Sequence, residues 1–349
     1  YYIYHPMYIE NKYVKKYISF WLLAMFSLIA IMIIVGGLTR LTDSGLSITE
    51  WELFEGILPP FNNDKWISYF SLYKEIPQFK LMYPTMTIDE FKIIFYWEYF
   101  HRLLGRVIGL AYLIPLIIFS LQKSFDKKTS LILYFIFFLI LLQGVIGWYM
   151  VESGLVMNTT VSHYRLSLHL FIAFIILSLV FWKFLKLTNI RINQINIKLN
   201  LIKFFLLLLF LQLIIGAFVS GMDAGKIYNT WPLMGSSYFP DDSMISDFFS
   251  LKVFDDQSLV QFIHRNLAYL IVIIYFYMLY FVLKNGNINL RIPIFIIGIS
   301  LLFQIFLGVL TILSGVKMLY ASLHQINSIL IILSTLYFLY IVKYKETIY

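Results

Sequence analysis

Long apolar runs separated by short polar breaks dominate the chain. A membrane-spanning helix needs roughly 20 mainly apolar residues. Runs of that kind fall near Tyr17–Leu38, Tyr99–Leu121, Ser130–Met150, Arg165–Phe184, Leu201–Ser220, Phe262–Leu283, Ile292–Leu313 and Ala321–Val342. The pattern predicts an all-α membrane protein of eight transmembrane helices. The first run is longer than a secretory signal, and no small-residue cleavage site follows it, so it reads as a true span.

Composition agrees with that pattern. Hydrophobic residues make up 60% of the 349 positions and charged ones 13%, about half the charged share of an ordinary soluble domain. The net charge of +8 is a topology signal and not a nucleic-acid footprint, because the basic residues are spread through short segments at alternate ends of the runs. One set of segments carries Lys12, Lys15 and Lys16, then Lys123, Lys127 and Lys128, then Lys183 through Lys203, Lys284, Arg291, Lys343 and Lys345, with only three acids, Glu10, Asp126 and Glu346. The other sixteen acids lie on the opposite side, mostly in two long loops near 39–97 and 221–259. Lys and Arg concentrate in cytoplasmic loops. Both termini are therefore expected on the cytoplasmic or matrix side, with the two acidic loops outside.

The chain also repeats itself, in the manner of duplicated folds. GGLTRLTDSG after the first run is echoed by GAFVSGMDAG after the fifth, so that Gly36, Asp43, Gly45 and Trp51 match Gly216, Asp223, Gly225 and Trp231. FHRLLG at Phe100–Gly105 answers IHRNLA at Ile263–Ala268, QGVIG at Gln143–Gly147 answers QIFLG at Gln304–Gly308, and His169 answers His324. This predicts two pseudo-symmetric four-helix bundles in parallel repeat, residues 1–190 and 191–349, with the break in the polar linker around Thr188–Asn200.

Six histidines are present: His5, His101, His163, His169, His264 and His324. Four of them, His101, His169, His264 and His324, sit near the outer start of each even-numbered run. The bland reading of one such histidine is interfacial snorkelling or a hydrogen bond between helices. Four at repeat-equivalent places, two per bundle, point instead to axial ligation of a planar macrocycle between facing helices. Neutral imidazole also adds no charge to the membrane interior. Two haem sites follow, His101 with His169 and His264 with His324. His5 lies outside the runs and reads as incidental; His163 has no counterpart in the second half and reads as structural, with a place at the outer mouth of the first site as the alternative.

The chemistry should reside where the repeat fails. Glu98 precedes His101 by one helical turn on the same face, whereas the matching residue before His264 is Gln261. A carboxylate at one haem edge could move protons or stabilise a developing positive charge. Its plainer reading is a helix N-terminal acid favoured by the dipole. Arg102 and Arg265 each follow a candidate ligand and suit anionic propionates, with headgroup contact as the competing role. Arg40 and Asp43 read as ordering the outer loop. The Gln-x-x-x-Gly spacing at Gln143, Gln212 and Gln304 reads as helix packing. The absence of cysteine excludes disulfides, thiolate haem ligands and iron–sulfur clusters.

GGLTRLTDSGLSITEW at Gly36–Trp51, EYFHRLLGR at Glu98–Arg106, YRLSLHL at Tyr164–Leu170 and the His264–Arg265 pair resemble the haem A synthase (Cox15/CtaA) family over nearly the whole chain. The resemblance implies haem O as substrate near His101 and His169, and haem B as prosthetic group held by His264 and His324. It implies oxidation of the C8 methyl of haem O to a formyl group by successive hydroxylations, with Glu98 at the place of the family's essential glutamate. The product, haem A, would serve cytochrome c oxidase. The missing cysteine pair is similar to the proteobacterial and mitochondrial branch, which places the chain in a bacterial inner (plasma) membrane or, alternatively, the mitochondrial inner membrane. Expected partners are the lipid bilayer and a farnesyltransferase supplying haem O. No nucleic acid is expected, and assembly as a homo-oligomer stays open.

Two other classes remain beside this reading. A di-haem b-type membrane electron carrier would use the same histidines, but all four lie toward one face and Glu98 has no purpose in a pure carrier. A repeat-built transporter would carry its polar residues at the midplane, whereas here they sit near the outer end.

Overall fold

The computed structural model describes residues 12–51, 55–156, 158–188, 192–193, 198–284, 288–343 and 345–346. Eight helices within it are long and apolar enough to cross a membrane, as the hydropathy pattern predicts. They are α1 (Lys12–Leu41), α4 (Ile88–Leu121), α5 (Lys127–Leu155), α6 (His163–Thr188), α7 (Leu199–Gly221), α9 (Gln257–Lys284), α10 (Ile288–Leu313) and α11 (Met318–Lys343). Three shorter helices, α2 (Asn63–Glu75), α3 (Pro77–Met82) and α8 (Ile245–Phe248), lie in the two long loops. The described strands are limited to a parallel pairing of Ile192 with Lys345 and Asn193 with Glu346. His5 and the expected domain break at 190/191 lie outside the described residues.

The helices outrun the apolar segments, and in α4 and α5 a polar residue caps the extended start. The largest extension is at α4, expected from Tyr99 and found from Ile88. Thr87 accepts from the Glu90 N–H while the Glu90 carboxylate accepts from the Thr87 N–H, a capping box that satisfies two otherwise orphaned donors. Asp126 likewise accepts from the Thr129 N–H at 3.3 Å to start α5. The extra turns of α4 carry Phe91 and Phe95, which with Tyr99 bury against Trp66, Phe70 and Tyr73 of α2. This aromatic cluster is the anchor of the first long loop, whose helices are too short and polar to stand out as apolar runs.

Each group of four helices closes into a ring: α1 against α4, α4 against α5, α5 against α6, and α6 back against α1. The second ring runs α7, α9, α10, α11 in the same manner. The rings meet along α1 and α6 on one side and α7 and α11 on the other. The main core, including Trp21, Tyr112, Phe174, Phe205 and Phe338, lies toward the lysine-rich ends of the helices. Toward the opposite ends the rings do not fill. They leave a cavity of about 1200 Å³, larger than the roughly 300–1,000 Å³ of ordinary ligand pockets.

Candidate functional site

His101, His169, His264 and His324 all line that cavity, each projecting from α4, α6, α9 or α11 respectively. Each ring lies against a glycine on a neighbouring helix. A Cβ added at Gly36, Gly147, Gly216 or Gly308 would fall 2.9, 3.1, 3.0 or 3.0 Å from the Cε1 of His101, His169, His264 or His324. The contact at Gly36 is shorter than real Cβ atoms show and the other three are tight enough that a side chain would push the ring aside, so these glycines seat the rings. The Gln-x-x-x-Gly spacing therefore does more than pack helices. Its glycines are three of the four seats, and its glutamines hold the histidine backbones or rings.

Those holds differ between sites. Gln143 donates to the His169 carbonyl at 2.8 Å, and Gln212 donates to the His264 carbonyl at 3.0 Å. Gln304 offers its own carbonyl to His324 Nδ1 at 3.0 Å, and its side chain is in turn fixed by Asn327. A backbone carbonyl at Nδ1 sets the tautomer that leaves Nε2 free as a ligand. The His264 and His324 ring centroids are 6.4 Å apart. That separation lets two imidazole nitrogens share one metal atom at about 2 Å each. Nδ1 of His101, His169 and His264 is buried without a hydrogen-bond partner. Among the described residues no group of three His, Asp or Glu side chains converges as a bare metal ion would require. Two imidazoles per site fit an iron whose equatorial ligands come with a macrocycle.

Glu98 is only 3% exposed and also lines the cavity. One carboxylate oxygen accepts from Ser47 Oγ at 2.7 Å and the Ile48 N–H at 2.9 Å; the other accepts from Arg102 Nε at 3.0 Å and Nη2 at 2.6 Å. Because α4 begins at Ile88, Glu98 is well inside the helix, and the helix-terminus reading of this acid does not apply. Arg102 also donates to the Ile48 and Glu50 carbonyls, and its guanidinium lies over Trp51. Arg265 does the equivalent in the second half, donating to the Leu233 and Tyr228 carbonyls. Both arginines are on the cavity wall and also hold the carbonyls of the long loops. At the position matching Glu98, Gln261 donates to the Tyr228 carbonyl at 3.0 Å.

Arg40 does more than order its own loop. It pairs with Asp43 at 2.9 Å and crosses to the second ring, reaching the Ser220 carbonyl at 2.8 Å and Asp223 at 3.2 Å. Asp43 and Asp223 both sit in the left-handed region, at φ of 52° and 55°, which Asp tolerates better than most residues. His163 does not line the cavity. It packs against Gly221 and Phe218 between the rings, with Asp255 3.5 Å away, as expected of a structural residue.

A family described as cytochrome oxidase assembly protein, COX15-CtaA, matches residues 19–336. The chain belongs to the Cox15/CtaA family. Among family members, a "Heme A synthase" of Pelagibacter ubique is 48% identical over 337 residues, covering 97% of this chain and 99% of its own. A protein of the same name from Rickettsia bellii is 43% identical, covering 91% and 96%. Another from Nitrosospira multiformis is 41% identical, covering 93% of each chain. The Cox15/CtaA match takes in all four cavity histidines and Glu98.

Proposed function

We propose that this protein is a haem A synthase, an oxidoreductase that converts the C8 methyl of haem O to the formyl group of haem A for cytochrome c oxidase. The observation that carries the reading is the cavity itself, in which two histidine pairs are seated on glycines and Glu98 lines the wall one helical turn from His101, where the second half has Gln261. The names of the relatives support the same reaction. His101 and His169 would hold haem O as substrate, and His264 and His324 would hold haem B as the resident group. The carbonyl at His324 Nδ1 and the 6.4 Å ring spacing suit two axial imidazoles at the second site. The resident haem supplies redox chemistry when bound.

The chain's own residues then have definable tasks. Glu98 receives four hydrogen bonds, so its carboxylate is held in place at the wall of the first site. A fixed negative charge in a low-dielectric cavity stabilises positive charge developing at an adjacent carbon and can accept a proton released there. Arg102 fixes that carboxylate and closes the outer loop over it, limiting water. In the second half the neutral Gln261 takes the place of Glu98. The charge distribution supports an orientation with both termini on the cytoplasmic face and the cavity toward the outside of a bacterial inner membrane. Haem O would arrive from a farnesyltransferase in the same membrane.

The test is haem extraction and chromatography from cells that express the chain beside a haem O source. Haem A or its hydroxylated intermediate is expected from the parent chain, and its loss from Glu98→Ala. Recovery of haem B alone with haem O unconverted, given adequate electron supply, would replace this reading with a di-haem electron carrier.

A further inference from the structure

In both rings the outer helix pair is the looser seam: α4 touches α5, and α9 touches α10, less than either touches its inner neighbour. What fills the seam differs between the halves. Gly109 of α4 and Gly144 of α5 border it in the first half, and a Cβ built on either meets nothing within 4 Å. The sequence repeat pairs these with Val272 and Ile305 in the second half, both of which line the cavity wall.

Exposure follows the same division. Leu110, Leu141, Val145 and Trp148 line the cavity and yet are 59%, 54%, 58% and 43% exposed. They are at once inner wall and outer surface, on helix faces that point to lipid. Their counterparts Ile273, Leu302 and Phe306 are also exposed but do not line the cavity among the described residues, and Val309 lines it without being exposed. The first half thus exposes apolar cavity-lining residues beside the seam of α4 and α5, where the second half places the branched Val272 and Ile305 on the cavity wall.

We infer that the slot between α4 and α5, bordered by Gly109 and Gly144, is the portal through which a lipophilic haem with an isoprenoid tail passes between the bilayer and His101 and His169. The inference rests on haem O being the substrate of the first half. Its apolar walls suit a hydrocarbon chain, and a route through lipid spares that chain contact with water. The same contrast explains how one cavity holds an exchanging molecule at one end and a resident one at the other.

The chain has no cysteine, so Gly144→Cys would carry its sole thiol. The experiment places this variant in proteoliposomes, before and after modification with a bulky lipid-soluble maleimide. Donor vesicles loaded with haem O supply the probe, and uptake is read from haem absorbance. Modified Gly144→Cys should lose haem O uptake while keeping its second-site haem spectrum. Leu302→Cys with the same label, on the lipid face of α10, should take up haem O normally. A Gly109→Val/Gly144→Ile variant, which copies the second half, should lose uptake without any label. Unchanged uptake by modified Gly144→Cys overturns the portal. If the unmodified protein takes up haem O but does not oxidise it, the portal stands and the synthase reading fails. If it takes up no haem O at all, the substrate assignment and the portal fall together.

Discussion

At the scale of single residues the site depends on what is absent as much as on what is present. A glycine in a helix interior costs up to about 1 kcal/mol relative to alanine, yet Gly36, Gly147, Gly216 and Gly308 stand opposite the four cavity histidines. Gly308→Val should raise local helix propensity and still abolish haem retention at the second site, because the new side chain displaces the His324 ring. Haem content of the purified protein measures this, and full retention would show that the seat is not required. Glu98 and Arg102 form the second residue-scale unit. Removing one partner of a buried ion pair typically costs about 3–5 kcal/mol. Glu98→Ala should therefore lower the thermal midpoint as well as abolish haem A formation. Glu98→Gln combined with Arg102→Gln removes both charges, and should recover most of the stability without recovering the reaction. Activity returning with stability would mean that Glu98 is only a structural clamp.

At the scale of elements, the outer extension of α4 organises the first loop. The loop is held to it by the aromatic cluster and by a polar chain in which Tyr83 donates to Asp43, Gln78 donates to the Asp43 carbonyl, and Tyr73 donates to Gln78. Burial, and next to it the charge of Asp43, pushes the Tyr83 hydroxyl up to about 12 from its ordinary 10.0. A phenol whose folded value is raised stabilises the fold fully below its unfolded value, and that stability is lost as pH climbs through the folded one. The gap in thermal midpoint between the parent and Tyr83→Phe should accordingly be constant at neutral pH and shrink between about pH 10 and 12. A gap independent of pH would remove Tyr83 from this network. The capping box makes a simpler claim. Thr87→Ala should cost about 1 kcal/mol, read as a lower midpoint with the spanning helices intact by circular dichroism.

At the scale of the whole molecule, two rings act as one body because specific polar contacts cross between them. Arg40 bridges Asp43 and Asp223, and Gln325, next to His324, donates to the Ile33 carbonyl of α1 at 2.8 Å. A side chain at Gly37 would occupy the space of the Gln325 amide. The Gly36–Gly37 step thus touches both sites, seating His101 with one residue and admitting Gln325 with the next. Arg40→Ala should destabilise the assembled rings by about 2 kcal/mol, in the range for hydrogen bonds to charged groups. Arg40→Lys keeps the charge without the fork and should recover only part of that loss. Equal midpoints for all three proteins would show that the rings are held together by apolar packing alone.

Much of this protein is determined by its sequence because the bilayer imposes strict rules on it. Every backbone polar group in lipid must be satisfied within the chain, so long apolar runs become helices. The eight spans, the four histidines and the contrast between Glu98 and Gln261 are legible without coordinates for that reason, and for the added reason that the chain repeats itself. The tertiary structure alone decided which atoms meet. Glu98 became a four-fold hydrogen-bonded carboxylate only when Ser47 and Ile48 folded back onto α4. Arg102 and Arg265 proved to hold loop carbonyls, and Arg40 proved to join the rings. Gly109 and Gly144 look like ordinary helix glycines in sequence; the slot beside them exists because the seam between α4 and α5 is left unfilled. Helix formation depends on local pattern and solvent, whereas contacts and openings depend on how surfaces distant in the chain come together.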